Sequence, residues 1–275
     1  MYELQKDAPI GVFDSGVGGL TVVREIMRQL PDEKIVYFGD TARVPYGSKS
    51  KETVTRFSRQ IVRFLETQQV KTIVVACNTA SAYALDEIEK EITIPMIGVV
   101  RPAVKVAAET TRNGKIGVIA TQATVNSRVY STYINEIAPE MDVIGKACPL
   151  FVPLVEEGLL EDPVTDEIAR RYLLELVDIG IDTLILGCTH YPLIRSTIGR
   201  IVGDGITLVN PAYETARELK EMLGRMNLLT EEKPDLGSNR YRFFVSDGAD
   251  KFKTFANSII KYGILSAKTI NIEEY

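Results

Sequence analysis

Tryptophan is absent from the 275 residues, histidine occurs once and cysteine three times. A single histidine excludes a histidine-rich metal site. Three cysteines without a CxxC pair leave no basis for a disulfide framework, a zinc ribbon or a redox dithiol. No apolar run reaches the ~18 residues of a membrane-spanning helix, so no membrane partner is expected. Residues 1–13 show no basic segment leading into an apolar one, so no secretory leader is expected and a cytoplasmic location is. Positive charge is not in surplus either: 32 Lys and Arg stand against 37 Asp and Glu, for a net charge of −5. Proteins that bind duplexes carry a basic footprint, so nucleic acid is disfavoured as a partner. Glycine (20) and proline (12) are ordinary in number, which removes collagen-like and low-complexity readings. No Gly/Ser linker divides the chain.

What is present is a regular alternation. The chain is 45% apolar and 25% charged, enough for one large or two small domains with a real core. Continuous apolar runs at 10–13, 35–38, 72–76, 96–99, 116–119 and 183–186 read as strands covered on both faces. Between them lie helical patterns. Leu20, Val23, Met27 and Leu30 share one face, as do Val54, Phe57, Ile61, Phe64 and Leu65. A third helix is expected over 163–179, opened by Pro163 and presenting Ile168, Tyr172, Leu176 and Ile179. Strands alternating with helices predict βαβ units and a mainly parallel sheet. The polar stretch 227–240 reads as a surface loop.

An internal echo organises these elements. Val74-Val75-Ala76-Cys77-Asn78-Thr79 is similar to Leu184-Ile185-Leu186-Gly187-Cys188-Thr189, an apolar strand ending in cysteine before a helix opens. The echo suggests two similar α/β halves, each carrying a cysteine at the strand edge where open sheets bind ligands. A lone cysteine is ordinarily a small buried hydrophobe, but two in equivalent places are hard to ascribe to packing. Amides at a helix start would favour an anion and lower a thiol pKa. Asn78, Thr79, Thr189 and His190 could cap those helices or donate to a ligand carboxylate. His190 would ordinarily be a satisfied structural residue, yet two places after Cys188 it could tune the thiol or assist proton transfer. Cys148, before Pro149, lacks such context and reads as structural. The turn Asp14-Ser15-Gly16-Val17-Gly18-Gly19 is neither a Walker loop nor a dinucleotide fingerprint, since Thr21 stands at the third glycine position. It is either a tight strand-to-helix turn or a ligand-facing acid and hydroxyl beside bare amides.

These segments, with Pro45-Tyr46-Gly47 and Gly187-Cys188-Thr189-His190-Tyr191-Pro192-Leu193, resemble the glutamate racemases of the aspartate/glutamate racemase family over about the first 225 residues. The resemblance implies two pseudo-symmetric α/β domains, each a mainly parallel sheet flanked by helices, with the active site in the cleft between them. It implies cofactor-independent interconversion of L- and D-glutamate, supplying the D isomer for peptidoglycan. Carried over by motif, Cys77 and Cys188 become the two acid/base residues, with Asp14 assisting Cys77 and His190 assisting Cys188. Glu156 matches a further acid, with Glu157 beside it as the alternative. Ser15, Tyr46, Gly47, Asn78, Thr79, Thr121, Thr124 and Thr189 match substrate-binding positions, together with Asp14 and His190. No metal and no cofactor are expected. The segment after about 228 departs from the family core.

Racemisation removes the α-proton from one face and returns one to the other, which two positioned thiol groups can do without turning the substrate. Without a pyridine ring to disperse charge, a dry cleft with donors on the α-carboxylate must stabilise the carbanion. Other readings are a two-cysteine racemase of another substrate such as aspartate, a non-catalytic dicarboxylate binder, or a cysteine hydrolase that leaves the second cysteine unexplained. The domain expectation is 1–97 plus 210–275 for one unit and 98–209 for the other. Oligomeric state is not legible, and a homodimer stays open.

Overall fold

The computed structural model describes residues 5–232, 240–260 and 266–275. Its strands are β1 (Ile10–Asp14), β2 (Ile35–Gly39), β3 (Thr72–Val75), β4 (Met96–Gly98), β5 (Lys115–Ala120), β6 (Asp142–Ala147), β7 (Thr183–Gly187), β8 (Thr207–Val209), β9 (Tyr241–Val245) and β10 (Lys268–Thr269). They form two sheets, in the orders β10-β9-β2-β1-β3-β4 and β6-β5-β7-β8. Every pairing is parallel.

The continuous apolar runs follow from coverage on both faces. In β1, Ile10 and Val12 join one core with Leu20, Val23 and Ile26, while Phe13 joins another with Val54, Ile61 and Leu65. The second sheet repeats this. Ile116 and Val118 pack with Val100 and Ala103 on one face, and Ile119 packs with Leu173 and Leu176 on the other. Each fully buried aliphatic side chain of this kind contributes about 1.5–3 kcal/mol, so four such cores carry the stability of both layers.

The six runs read from the sequence are all strands. Missed were β6, β8, β9 and β10. β6 lies at a sheet edge and is half-exposed along its length, so its apolar signal is diluted. β8 and β10 are edge strands of three and two residues.

The helix 163–179 spans Pro163–Ile179. Asp162 caps it by accepting from the Val164 N–H at 2.8 Å, Pro163 costs no hydrogen bond in the first turn, and Gly180 closes it at φ 83°. Its buried face is rotated from the expected one: Thr165, Ala169, Leu173 and Leu176 are buried, Ile168 and Tyr172 flank the core, and Ile179 is 38% exposed. Small Thr165 and Ala169 allow close packing against the helix Arg195–Val202, and hydrophobicity alone does not reveal that. Of the expected loop 227–240, residues 233–239 lie outside the described residues.

The two sheets share one winding. In the first, β2 lies on one side of β1, and β3 and β4 on the other. In the second, β6 lies on one side of β5, and β7 and β8 on the other. The chain therefore reverses direction across the sheet beside β1–β3 and again beside β5–β7. Such a reversal leaves a crevice at the carboxyl ends of the strands. Asp14 and Cys77 stand at that edge of the first sheet, Thr121 and Cys188 at that edge of the second.

Candidate active site

The two edges enclose a cleft of about 430 Å³ lined by Ser15, Tyr46, Gly47, Cys77, Asn78 and Thr79 from the first sheet's loops, and by Thr121, Glu156, Cys188, Thr189 and His190 from the second's. Of the residues expected from the sequence, only Asp14 and Thr124 lie behind this lining rather than on it. Val44, Pro149, Val152 and Pro153 supply apolar wall that no sequence motif had marked as functional, and Pro45 of the Pro45-Tyr46-Gly47 motif joins them. Among the described residues no group of three or more His, Cys, Asp or Glu is placed to hold a metal ion.

Close backbone approach joins the edges. A Cβ on Gly18 would fall 2.4 Å from Thr189 Oγ1 and 2.5 Å from His190 Nδ1, so only glycine lets the β1 turn lie flush against the second cysteine's loop. Thr21, which spoiled the dinucleotide pattern, donates its hydroxyl to the Thr189 carbonyl at 2.9 Å. Across the cleft, a Cβ on Gly47 would meet Thr121 Cβ at 2.7 Å.

Cys77 caps the short helix Asn78–Tyr83, its sulfur accepting from the Ala80 N–H at 3.5 Å. The sequence suggested that such amides would lower the thiol pKa. Instead burial, then the nearby Asp14 carboxylate, push it up to about 12, outweighing Ala80 and Ser15. One turn of helix offers too little positive potential to offset desolvation. Cys77 is therefore a thiol at neutral pH, and its S–H points to Ser15 Oγ at 3.6 Å.

Cys188 is followed by a 3-10 turn, Tyr191–Ile194, before the helix begins at Arg195. Its sulfur lies 3.8 Å from His190 Nδ1, and His190 Nε2 lies 3.0 Å from Glu156 Oε1. Burial alone would push the imidazole pKa down. Cys188, Glu156 and Asp14 reverse this and raise it to about 10, so His190 is an imidazolium with a donor on each side. Glu156, held below the usual carboxylate range mainly by its bond to His190, is the acid at the cleft, whereas Glu157 is exposed.

Asp14 is wholly buried. Burial raises its pKa against the opposing pull of His190 and the amides of Gly19, Gly16 and Ser15. Its Oδ2 accepts from the Gly16 N–H at 3.0 Å and its Oδ1 from Thr189 Oγ1 at 3.5 Å. The side chain hydrogen-bonded to the Cys77 sulfur is that of Ser15, not Asp14.

The hydroxyls of Thr79, Thr121 and Thr124 form a triangle with sides of 2.9, 3.1 and 3.0 Å, linking one half to the other. Tyr130, buried and absent from the sequence reading, donates to Asn78 Oδ1 at 2.6 Å. That bond fixes the side chain of Asn78, a residue of the cleft lining. Nothing in the sequence flags Tyr130, because it sits among the apolar positions of an ordinary helix. Tyr46 lines the cleft, but its hydroxyl donates to Asp40 at 2.5 Å. Cys148 is buried in the core beside Phe151 and Tyr191.

The family model for Asp/Glu/hydantoin racemases matches residues 10–219. The chain belongs to that family. It is 51% identical to the glutamate racemase of Geobacter metallireducens over 238 residues, which are 86% of this chain and 87% of that relative. With the glutamate racemase of Neisseria meningitidis serogroup A the identity is 49% over 94% of this chain and 95% of the relative. Among solved structures, the glutamate racemase of Francisella tularensis in complex with D-glutamate superposes with a TM-score of 0.91 at 38% identity, over 98% of this chain and all (100%) of that one. As the family resemblance implied, the fold is two α/β units with parallel sheets and helices on their faces. No helix among the described residues is long and apolar enough to cross a membrane.

Proposed function

We propose that this racemase-family protein interconverts L- and D-glutamate in the cytoplasm without a cofactor, supplying D-glutamate for peptidoglycan, with Cys77 and Cys188 as the acid/base pair. The observation that carries the reading is the placement of two buried cysteines at equivalent strand ends of two like-wound sheets, both on one cleft. A planar carbanion between them can lose a proton to one sulfur and gain one from the other. The α-C–H bond breaks, its electron pair stays on carbon, and a thiolate takes the proton to become a thiol. The opposite thiol then protonates carbon and is left as thiolate. The two sulfurs have exchanged states and the stereocentre is inverted.

The neighbours differ in a way that suits these roles. Cys77, pushed up to about 12, is the thiol at rest. Cys188 has the His190 imidazolium beside it, which stabilises negative charge on that sulfur. Donors from Ser15, Asn78, Thr79, Thr189 and the Tyr46 and Gly47 amides hold the two carboxylates. Tyr46 and Gly47 open a 3-10 turn, so their N–H groups have no partner within it. The apolar wall keeps water from the carbanion.

We also propose that 1–97 with 210–275, and 98–209, are the two units that close on the substrate. In support, Ala212, Ala216, Leu219 and Leu223 pack in one core with Leu20 and Ile26, while Val100, Ala103 and Ala107 pack with Ile116 and Ile185.

The test is incubation of the pure protein with L-glutamate and no cofactor, following optical rotation and total glutamate. Rotation should vanish with glutamate conserved, and aspartate should turn over far more slowly because its shorter chain leaves carboxylate donors unpaired. Unchanged rotation with ligand-induced thermal stabilisation would instead mean a binder, and comparable turnover of aspartate would remove the selectivity.

A further inference from the structure

The segment after residue 228, set apart from the family core by the sequence reading, is shared with a relative aligned over 94% of this chain, and it returns to the site. β9 adds to the first sheet beside β2, in register from Ile35–Tyr241 to Gly39–Val245. This brings Ser246, just past its end, against the loop that leaves β2. The Ser246 hydroxyl donates to Asp40 Oδ1 at 2.8 Å and accepts from the Ala42 N–H at 2.8 Å. One residue on, the Asp247 carbonyl accepts from Thr41 Oγ1 at 2.5 Å, and the Asp247 N–H donates back to that oxygen at 3.0 Å.

Asp40 is wholly buried, and four contacts converge on it. Besides Ser246, its carboxylate accepts from Arg43 Nε at 2.7 and 3.0 Å and from the Tyr46 hydroxyl at 2.5 Å. Its own N–H donates to the Asp14 carbonyl at 3.1 Å. Arg43 is fixed in turn by Gln60 at 2.6 Å and by Glu273, near the end of the chain, at 3.0 Å. The turn this network holds is Tyr46–Ser48, three residues of 3-10 helix. So short a turn has little stability of its own. Its one deep anchor is the Tyr46 side chain, buried against Phe57 with its hydroxyl committed to Asp40.

We propose that Asp40 is a positioning residue for substrate binding, held by Ser246 of the C-terminal segment, and that it aims the Tyr46 and Gly47 amides at a substrate carboxylate. This rests on the glutamate racemase reading. An amide pair fixed in advance spares the ordering cost at binding. The amides serve the side-chain carboxylate, which lies away from Cα and carries the same charge in ground state, carbanion and both enantiomers. Loosening the turn therefore removes uniform binding, which raises KM and leaves kcat nearly unchanged.

The experiment is steady-state kinetics in both directions, with a melting curve, for the full-length wild type, Ser246→Ala, Ser246→Thr, Asp40→Asn and the double variant Asp40→Asn/Ser246→Ala. Loss of the hydroxyl, which donates to the Asp40 carboxylate and accepts from the Ala42 N–H, should raise the Ser246→Ala KM about five-fold for both enantiomers, with kcat within about two-fold of wild type. Ser246→Thr keeps the hydroxyl and should restore KM. Asp40→Asn should raise KM further, and the double variant should be no worse than Asp40→Asn alone, because both act through one network. Should Asp40→Asn fail to fold, the Ser246 pair still decides. A Ser246→Ala protein whose KM is unchanged, whether or not its melting point falls, overturns the proposal. So does one that loses kcat at unchanged KM. A wild type that does not racemise glutamate instead overturns the reading on which the proposal rests.

Discussion

The two cysteines occupy matching places but different surroundings. Cys77 sits among apolar groups beside a carboxylate, Cys188 beside an imidazolium clamped by Glu156. His190 is raised to about 10 from 6.5. Its contribution to stability is thus full below 6.5 and is lost as pH rises through 10. Glu156 is lowered from 4.5, so its contribution is present above 4.5 and fades as pH falls. Removing the carboxylate removes a group that favours the charged imidazole, so His190 should lose its proton at lower pH. Glu156→Gln should accordingly shift the alkaline limb of the kcat/KM profile to lower pH, measured by circular dichroism from pH 6 upward. A limb that stays in place, or moves to higher pH, would show that Glu156 does not set the charge on His190.

At the scale of elements, site and scaffold occupy opposite ends of the strands. Cys77 follows the carboxyl end of β3, while Lys71 precedes its amino end, fully buried and 2.5 Å from Glu33. Lys71 also donates to the Leu228 carbonyl at 2.8 Å, and Glu33 Oε1 accepts from the Thr230 N–H at 3.0 Å. Together they pin the chain leaving the helix Pro211–Arg225 under the sheet. Lys71→Met strands a buried carboxylate, and should cost about 3–5 kcal/mol in denaturant unfolding while kcat/KM of the folded protein stays at the wild-type value. A stability loss below about 1 kcal/mol, or an altered kcat/KM, would contradict that separation.

What the sequence made legible follows the same physics. Residues 10–13, 72–76 and 183–186 announced strands because both faces are covered, and the cysteine echo marked the strand edges that line the cleft. The half-exposed edge strand β6 and the two-residue β10 did not stand out, having little apolar pattern to show. Nor could Tyr130 behind Asn78, or Asp40 behind Tyr46, be found by motif. Each acts through a partner that only the folded chain brings near. The Cys77 thiol was misjudged for the same reason, since its desolvation is a property of the assembled cleft.

In the molecule as a whole, duplicated winding places a buried cysteine on either side of one cavity. The β1 turn and the Thr79–Thr121–Thr124 triangle tie the halves at its margins. Two groups on two faces make an isotopic claim that one mobile base does not. In deuterated water each thiol exchanges with solvent before it protonates carbon. The decisive measurement is the deuterium content at Cα of each enantiomer, taken by mass spectrometry after chiral separation, at low conversion of L-glutamate. The two-thiol account predicts solvent deuterium in the D-glutamate formed and almost none in the L-glutamate remaining. Early deuterium in both pools would contradict it, because a single base that abstracts and returns the proton labels both faces.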